Sequence, residues 1–223
     1  MPSTLDPVLA IAHRTPRSAA DCQRLADSGA AVFEIDLQFM AGVPVVSHFL
    51  PPWRGMPLLR HDRWRFTLRP RISAEEDMAA VLDRIPAGCA VLIDLKTEDV
   101  LHAKTLVELL VATGRPPEGW YVSGKDAGAL AVVAAAGYRT WLSVSTRPEF
   151  VGALGGLLPP DLDAITVRHT YLDEATVGRL RRHQPRVIAW TVDKLYRAEE
   201  LADLGVAGIT SDNTAVHRFV ASR

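Results

Sequence analysis

Residues 32–40 read VFEIDLQFM. Val32, Phe33, Ile35 and Leu37 are the β-branched, aromatic and aliphatic frame of a buried strand, yet two carboxylates, Glu34 and Asp36, are set into it. Side chains alternate across a strand, so these two acids share one face. A strand that hides its frame and still carries two acids on one face needs a place where that face opens to something other than packed hydrocarbon.

The neighbouring sequence says what kind of sheet this is. Before it lie VLAIAH (8–13) and an amphipathic stretch over 18–27; after it come AVLIDLK (90–96), WYVSG (120–124), TWLSVS (140–145), DAITVRH (163–169), RVIAWTVD (186–193) and AGITSD (207–212). Helical spacing fills the gaps at 74–84, 99–113, 126–136, 148–157, 172–183 and 196–204. Ser73, Asp173 and Asp193 read as helix openers, and Gly137 and Gly205 as closers. Short apolar strands alternating with helices imply a parallel sheet covered by helices. Eight such units favour closure into a (β/α)8 TIM barrel, an α/β fold in a single domain spanning 1–223, over an open doubly wound sheet.

Two stretches break the alternation. MAGVPVVSHF (40–49) follows the second strand too closely for a crossover helix, so it reads as a hairpin arm over the barrel mouth. Residues 50–72, LPPWRGMPLLRHDRWRFTLRPR, have no sustained period and read as a long irregular loop inserted after strand 2. Trp53, Trp64 and Phe66, interleaved with Arg54, Arg60, Arg63, Arg65, Arg69 and Arg71, make it a candidate lid over a phosphate headgroup; the plainer use is aromatics plugging the barrel edge beneath solvated arginines.

Composition narrows the partners. With 48% hydrophobic and 23% charged residues, the chain has the make-up of a protein folded throughout. Its 25 basic and 26 acidic residues are dispersed and give a net charge of −1, so no broad positive field awaits nucleic acid or an anionic membrane. No run approaches the roughly 20 apolar residues that cross a bilayer, and MPSTLDPVLAIAHR has no basic leader ahead of an apolar core. Two cysteines, Cys22 and Cys89, show no metal or redox spacing and suit a reducing compartment. The expectation is a cytoplasmic protein, monomeric or a small homo-oligomer, without stable membrane insertion.

In a barrel of this type the site is built at the C-terminal ends of the strands. Those ends carry His13-Arg14, Glu34 and Asp36, His48 at the end of the hairpin, Asp94 and Lys96, and Trp190 with Asp193 beyond it. Asp94 and Lys96 repeat the two-apart spacing of Glu34 and Asp36. Three converging carboxylates are costly to bury and raise one another's pKa, which makes sense chiefly around a cation. All-oxygen ligation favours Mg²⁺ or Ca²⁺. The competing reading of the spacing is structural pairing of the acids with Arg14 and Lys96, or one acid facing solvent.

IAHR, FEIDLQ, GVPVVSH, DLKT, WTVDK and GITSD, taken in order, resemble the glycerophosphodiester phosphodiesterase family and its relatives, the sphingomyelinase D/phospholipase D toxins, across nearly the whole chain. DLKT and WTVDK are closer to the toxin branch, IAHR and GVPVVSH to the phosphodiesterases. The resemblance implies that Glu34, Asp36 and Asp94 hold one divalent cation, that His13 and His48 are the acid/base or nucleophile pair, that Arg14 and Lys96 clamp the phosphate, and that Trp190 walls the site. The substrate implied is a small-molecule phosphodiester or a lysolipid. The chain departs from the phosphodiesterase pattern at Thr15, where Gly is usual, at Phe49, where Asp is usual, and at Asp94, where Glu is usual.

Three functions compete at this level. The first is a metal-dependent hydrolase of glycerophosphodiesters or a related lipid-derived phosphodiester, working by His/His acid–base catalysis. The second is a phospholipase D-like phosphotransferase on lysophospholipid or sphingolipid headgroups, and the third a barrel that binds a phosphorylated ligand without turning it over. Among the other histidines, His169 at the end of strand six is a candidate substrate contact or a structural hydrogen bonder. His61-Asp62 reads as surface, and His102, His183 and His217 as solvated helix faces. No P-loop or dinucleotide fingerprint appears.

Overall fold

A computed structural model describes residues 7–14, 18–40, 42–47, 59–62, 65–68 and 78–223, with 59–62 and 65–68 described as backbone. The chain runs through β1 (Leu9–Ala12), α1 (Ala19–Asp27), β2 (Val32–Met40), β3 (Val43–Val46), β4 (Leu59–Asp62), β5 (Arg65–Leu68), α2 (Met78–Leu82), β6 (Ala90–Leu95), α3 (Val100–Ala112) and β7 (Trp120–Gly124). It continues through α4 (Ala127–Ala135), β8 (Arg139–Val144), α5 (Arg147–Leu154), β9 (Ala164–Arg168), α6 (Glu174–Leu180), β10 (Val187–Trp190), α7 (Leu195–Asp203), β11 (Gly208–Ser211) and α8 (Thr214–Ala221).

Eight strands pair in parallel in the order β1-β2-β6-β7-β8-β9-β10-β11, and β1 closes the ring because Ile11 lies opposite both Val32 and Thr210. This is the expected TIM barrel. Its lumen is filled by Ile11, Val32, Leu92, Tyr121, Trp141, Ala164 and Ile188, with the Tyr121 and Trp141 rings 4.6 Å apart. Large side chains from some strands are accommodated by small ones from others: a Cβ on Gly208 would sit 2.9 Å from Ile188 Cδ1.

Two apolar shells lie outside the ring. Phe33, Ile35, Leu37, Val91, Ile93 and Val122 pack against Leu106 and Leu110 of α3 and Leu130 of α4. Ile165, Val167, Val187, Ala189 and Ile209 pack against Leu180, Leu201 and Val216 of the later helices. Each such side chain contributes roughly 1.5–3 kcal/mol by leaving water, and together they offset the several kcal/mol per ion that buried charge costs. The odd-numbered residues of β2 therefore anchor the strand, while Glu34 and Asp36 point into the lumen.

β3 pairs antiparallel with the far end of β2, Leu37 opposite Val46 and Met40 opposite Val43, and lies outside the ring. The expected hairpin is present, with Gly42 at φ +78° in its turn. Residues 50–72, expected to be irregular, contain instead a second antiparallel hairpin, β4 with β5, Leu59 opposite Leu68 and Asp62 opposite Arg65. LRHD and RFTL are four residues each, too short to stand out as strands within a stretch rich in Pro and Arg. The aromatic and arginine side chains of this segment and those of His61 and Asp62 are not described, and Ser73 lies outside the described residues.

The helix signals held in part. Asp173 caps α6 and forms a capping box with Thr176, and Gly137 (φ +88°) and Gly205 (φ +78°) end α4 and α7 in the left-handed region. Asp193, expected to open a helix, does not: Lys194 is the N-cap of α7 and makes no side-chain capping bond. The Asp193 carboxylate accepts from Ser211 Oγ (3.1 Å) and Asp212 N (2.9 Å), tying β10 to β11. His217, expected on a solvated face, is wholly buried between α8 and the barrel, with Nε2 3.0 Å from Ser211 O. Burial favours its neutral form and pushes its pKa down. His102 is half-buried, its ring stacked on Phe39 at 4.1 Å, and His183 is exposed.

Candidate active site

A cavity of about 350 Å³ opens at the C-terminal rim of the ring. Leu92, Trp141 and Ile188 form its floor, and His13, Arg14, Glu34, Asp36, Asp94, Lys96 and Trp190 all line it. Seven residues singled out in the sequence thus meet in one place.

The acids converge because of register. β2 and β6 pair with Asp36 opposite Asp94, and Asp94 in turn lies opposite Ser123 of β7. Glu34, Asp36 and Asp94 each offer one oxygen within 4.8 Å of the others. Glu34 and Asp36 are 5% exposed. Glu34 Oε2 accepts the backbone N–H of Arg14 at 2.7 Å, where Arg14 takes φ +52°, an uncommon conformation for a non-glycine residue. Asp94 Oδ1 accepts from Ser123 Oγ at 2.9 Å. Lys96 Nζ bridges Asp36 Oδ1 at 2.9 Å and Asp94 Oδ2.

Three carboxylates crowd one corner of the cavity, with Lys96 Nζ between two of them. Burial, and then the charges of Asp36 and Asp94, push the Glu34 carboxyl well above the ordinary range, with the Arg14 N–H and Lys96 offsetting only part of this. Burial works against the charge on Lys96, but Asp94 and Asp36 outweigh it and raise its pKa. A divalent cation fits here. The donors are all oxygen, and their spacing is about that of ligands around a cation at 2.1–2.6 Å.

His13 stands at the end of β1 with Nδ1 3.2 Å from Asp212 Oδ2. A carboxylate partner requires the hydrogen on Nδ1, which leaves Nε2 as the basic nitrogen. Trp190 closes the β10 side, and the Arg168 guanidinium lies 5.2 Å from its ring centre. His169 sits one residue further on, half-buried in a short 3-10 turn, and is not among the residues lining the cavity. Desolvation and Arg197 lower its pKa. His48, the second imidazole, and Thr15 and Phe49 lie outside the described residues.

Several lining residues escaped the sequence reading: Ser123 and Lys125, Ser143 and Ser145, Thr166 and Arg168, and Thr210. The signal was available. Each pair repeats the two-apart spacing of Glu34/Asp36 at the end of its own strand, so the periodicity that exposed the acids also marks these. Asp212 is the position after β11 in GITSD, and its contact with His13 joins residues 199 apart in the chain, a proximity that local pattern does not carry. Glu149, the capping-box residue of α5, stands behind the rim and bonds Lys125 Nζ at 3.3 Å.

No protein-family model and no curated protein matches the chain. Among solved structures it is similar to an Oleispira antarctica phosphodiesterase in complex with the product sn-glycerol-3-phosphate, at 18% identity over 97% of this chain and 98% of that one, with a TM-score of 0.70. A glycerophosphodiester phosphodiesterase from Thermotoga maritima is similar at 15% identity, covering 99% and 100% of the two chains, with a TM-score of 0.67. Another from Parabacteroides distasonis gives 16% identity, 99% of each chain and a TM-score of 0.67. At such identities the likeness is one of fold, and it runs nearly end to end: this chain has the barrel found in these phosphodiesterases.

Proposed function

We propose that the protein is a metal-dependent phosphodiesterase that hydrolyses glycerophosphodiesters or a related lipid-derived phosphodiester. The observation that carries this is the meeting of Glu34, Asp36 and Asp94 with His13, Arg14 and Lys96 in one rim cavity. The barrel shared with solved glycerophosphodiester phosphodiesterases supports it, as does the product found in one of them.

Cleaving a phosphodiester needs neutralisation of charge on the non-bridging oxygens, a base for the attacking oxygen and an acid for the leaving alcohol. Glu34, Asp36 and Asp94 would hold one divalent cation, Mg²⁺ or Ca²⁺, which when bound supplies Lewis-acid stabilisation of phosphoryl charge. Arg14 and Lys96 complete the clamp on the phosphate oxygens. His13, oriented by Asp212, moves a proton at Nε2. His48 is assigned the complementary proton transfer, so that as the new O–P bond forms and the ester O–P bond breaks, one imidazole takes a proton from the nucleophile and the other returns one to the departing alkoxide. Trp190 walls the cavity and keeps water off the clamp. Unpaired Cys22 and Cys89 suit a cytoplasmic setting, and no described helix is long and apolar enough to cross a membrane.

Phosphorus NMR tests the reading directly, on glycerophosphocholine and lysophosphatidylcholine with Mg²⁺, Ca²⁺ or Mn²⁺. The expected result is cleavage of the first to glycerol phosphate, slowed by about 10²–10⁴-fold in His13→Ala. Faster turnover of the lysolipid would select the phosphotransferase instead. Binding without turnover of either would select the non-catalytic barrel.

A further inference from the structure

The cavity has a cationic side that phosphodiester chemistry does not use. Lys125 stands one residue past β7 and Arg168 ends β9, with Ser143 and Ser145 between them on β8, all lining the same space. The acids stand on β2 and β6. β9 is four strands on from β2 in a ring of eight, so Arg168 lies across the mouth from Glu34 and Asp36.

Among the described residues, the cations lining the cavity outnumber its acids. They are Arg14, Lys96, Lys125 and Arg168, against Glu34, Asp36 and Asp94. Loading a divalent cation raises the surplus to three, and a phosphodiester removes one. Glu149 pairs with Lys125, but it stands outside the cavity and its Oε2 is already committed to Ser145 N and Thr146 N at 2.7 and 2.8 Å. Arg168 has no carboxylate partner among the described residues; its guanidinium rests against Trp190 with its donors available. Stacked arginine flanked by hydroxyls is suited to binding carboxylate or phosphate oxygens in a fixed geometry.

Resting on the phosphodiesterase reading above, we propose that the alcohol portion of the substrate carries an anionic group of its own, a phosphate monoester or a carboxylate, which Lys125, Arg168 and the Ser143 hydroxyl receive. Lys125 and Arg168 are then the specificity-determining residues. A cationic headgroup such as choline would meet like charge there.

The test compares kcat/KM of the metal-loaded protein for three substrates: glycerophosphoglycerol, the same diester with a terminal phosphate, and glycerophosphocholine. The phosphate-bearing diester should lead the neutral one by about tenfold or more, with the choline ester slowest, and Lys125→Glu/Arg168→Glu should reverse the order. Equal rates, or a choline preference in the unaltered protein, would overturn the inference while leaving phosphodiesterase activity standing. If none of the three is cleaved, the phosphodiesterase reading fails, and calorimetry still decides the anionic subsite. Tighter binding of glycerol bisphosphate than of glycerol 3-phosphate, lost in the double variant, upholds it; equal binding overturns it.

Discussion

Lys96 is the residue on which the acid cluster hangs when no cation is bound. It is the one described ammonium within bonding distance of Asp36 and Asp94, and removing one partner of a buried pair costs about 3–5 kcal/mol because the other charge stays behind. Lys96→Met should therefore lower the unfolding free energy by about 3 kcal/mol in chelator, measured by urea denaturation, and by less when Ca²⁺ is present. His13 behaves differently, since its ring is 15% exposed and its bond to Asp212 lies at the surface. His13→Ala should lower kcat by about 10²–10⁴-fold and leave Tm within a degree or two. Asp212 acts through His13: Asp212→Asn should reduce kcat about tenfold, displace the alkaline-rising limb of the pH–rate profile and leave KM unchanged, whereas a merely structural role would move Tm and not the profile. The acids and His13 were legible because each stands at a strand end with a short-range spacing. Asp212 was not, because its partner is reached only through ring closure.

At the level of elements, strand alternation was readable and local capping only partly so. WYVSG spans the same residues as β7, since its apolar frame is bounded by a turn on one side and Lys125 on the other. The β4–β5 ribbon was not legible, because two four-residue strands are too short to set a period within a stretch broken by Pro and Gly. His217 was misread because a helix between barrel and solvent has one face of each kind, and a polar residue on the inner face looks like any other polar residue. It has a measurable consequence. With its folded pKa below the unfolded value of about 6.5, His217 stays neutral while the unfolded chain takes up a proton, so stability is full above pH 6.5 and falls as pH drops below it. The fall should be shallower in His217→Gln, compared with the parent by urea denaturation from pH 7.5 to 5.5. Glu149 acts at lower pH. Burial raises its pKa, but the N–H groups of Ser145 and Thr146, then Lys125, hold it at about 2. The stability it lends α5 is present above about pH 4.5 and is lost as pH falls toward 2. Glu149→Gln should flatten that limb of the pH–stability curve. Gly29 fixes the turn between α1 and β2 at φ +94°, where a Cβ would lie 2.4 Å from Ala221 Cβ, so Gly29→Ala should cost about 2 kcal/mol or more.

For the whole molecule, closure of the ring converts eight separate strand-end signals into one cavity with two chemical sides. The acids of β2 and β6 lie adjacent because their strands pair in register, and the cationic arc of β7 to β9 follows because those strands come next in order. A cation that binds only the folded chain adds stability by mass action, about 2.7 kcal/mol at a hundredfold excess over Kd, so Tm should rise with Mg²⁺ or Ca²⁺ in the parent and much less in Asp36→Asn. The measurement that bears most directly on the central claim is the rate of glycerophosphodiester hydrolysis before chelation, after it, and after a divalent cation is restored. Chelation should slow it by at least about 10³-fold, with full recovery on restoration and none in Asp94→Asn. An unchanged rate in chelator, or an Asp94→Asn variant as fast as the parent, would contradict the claim.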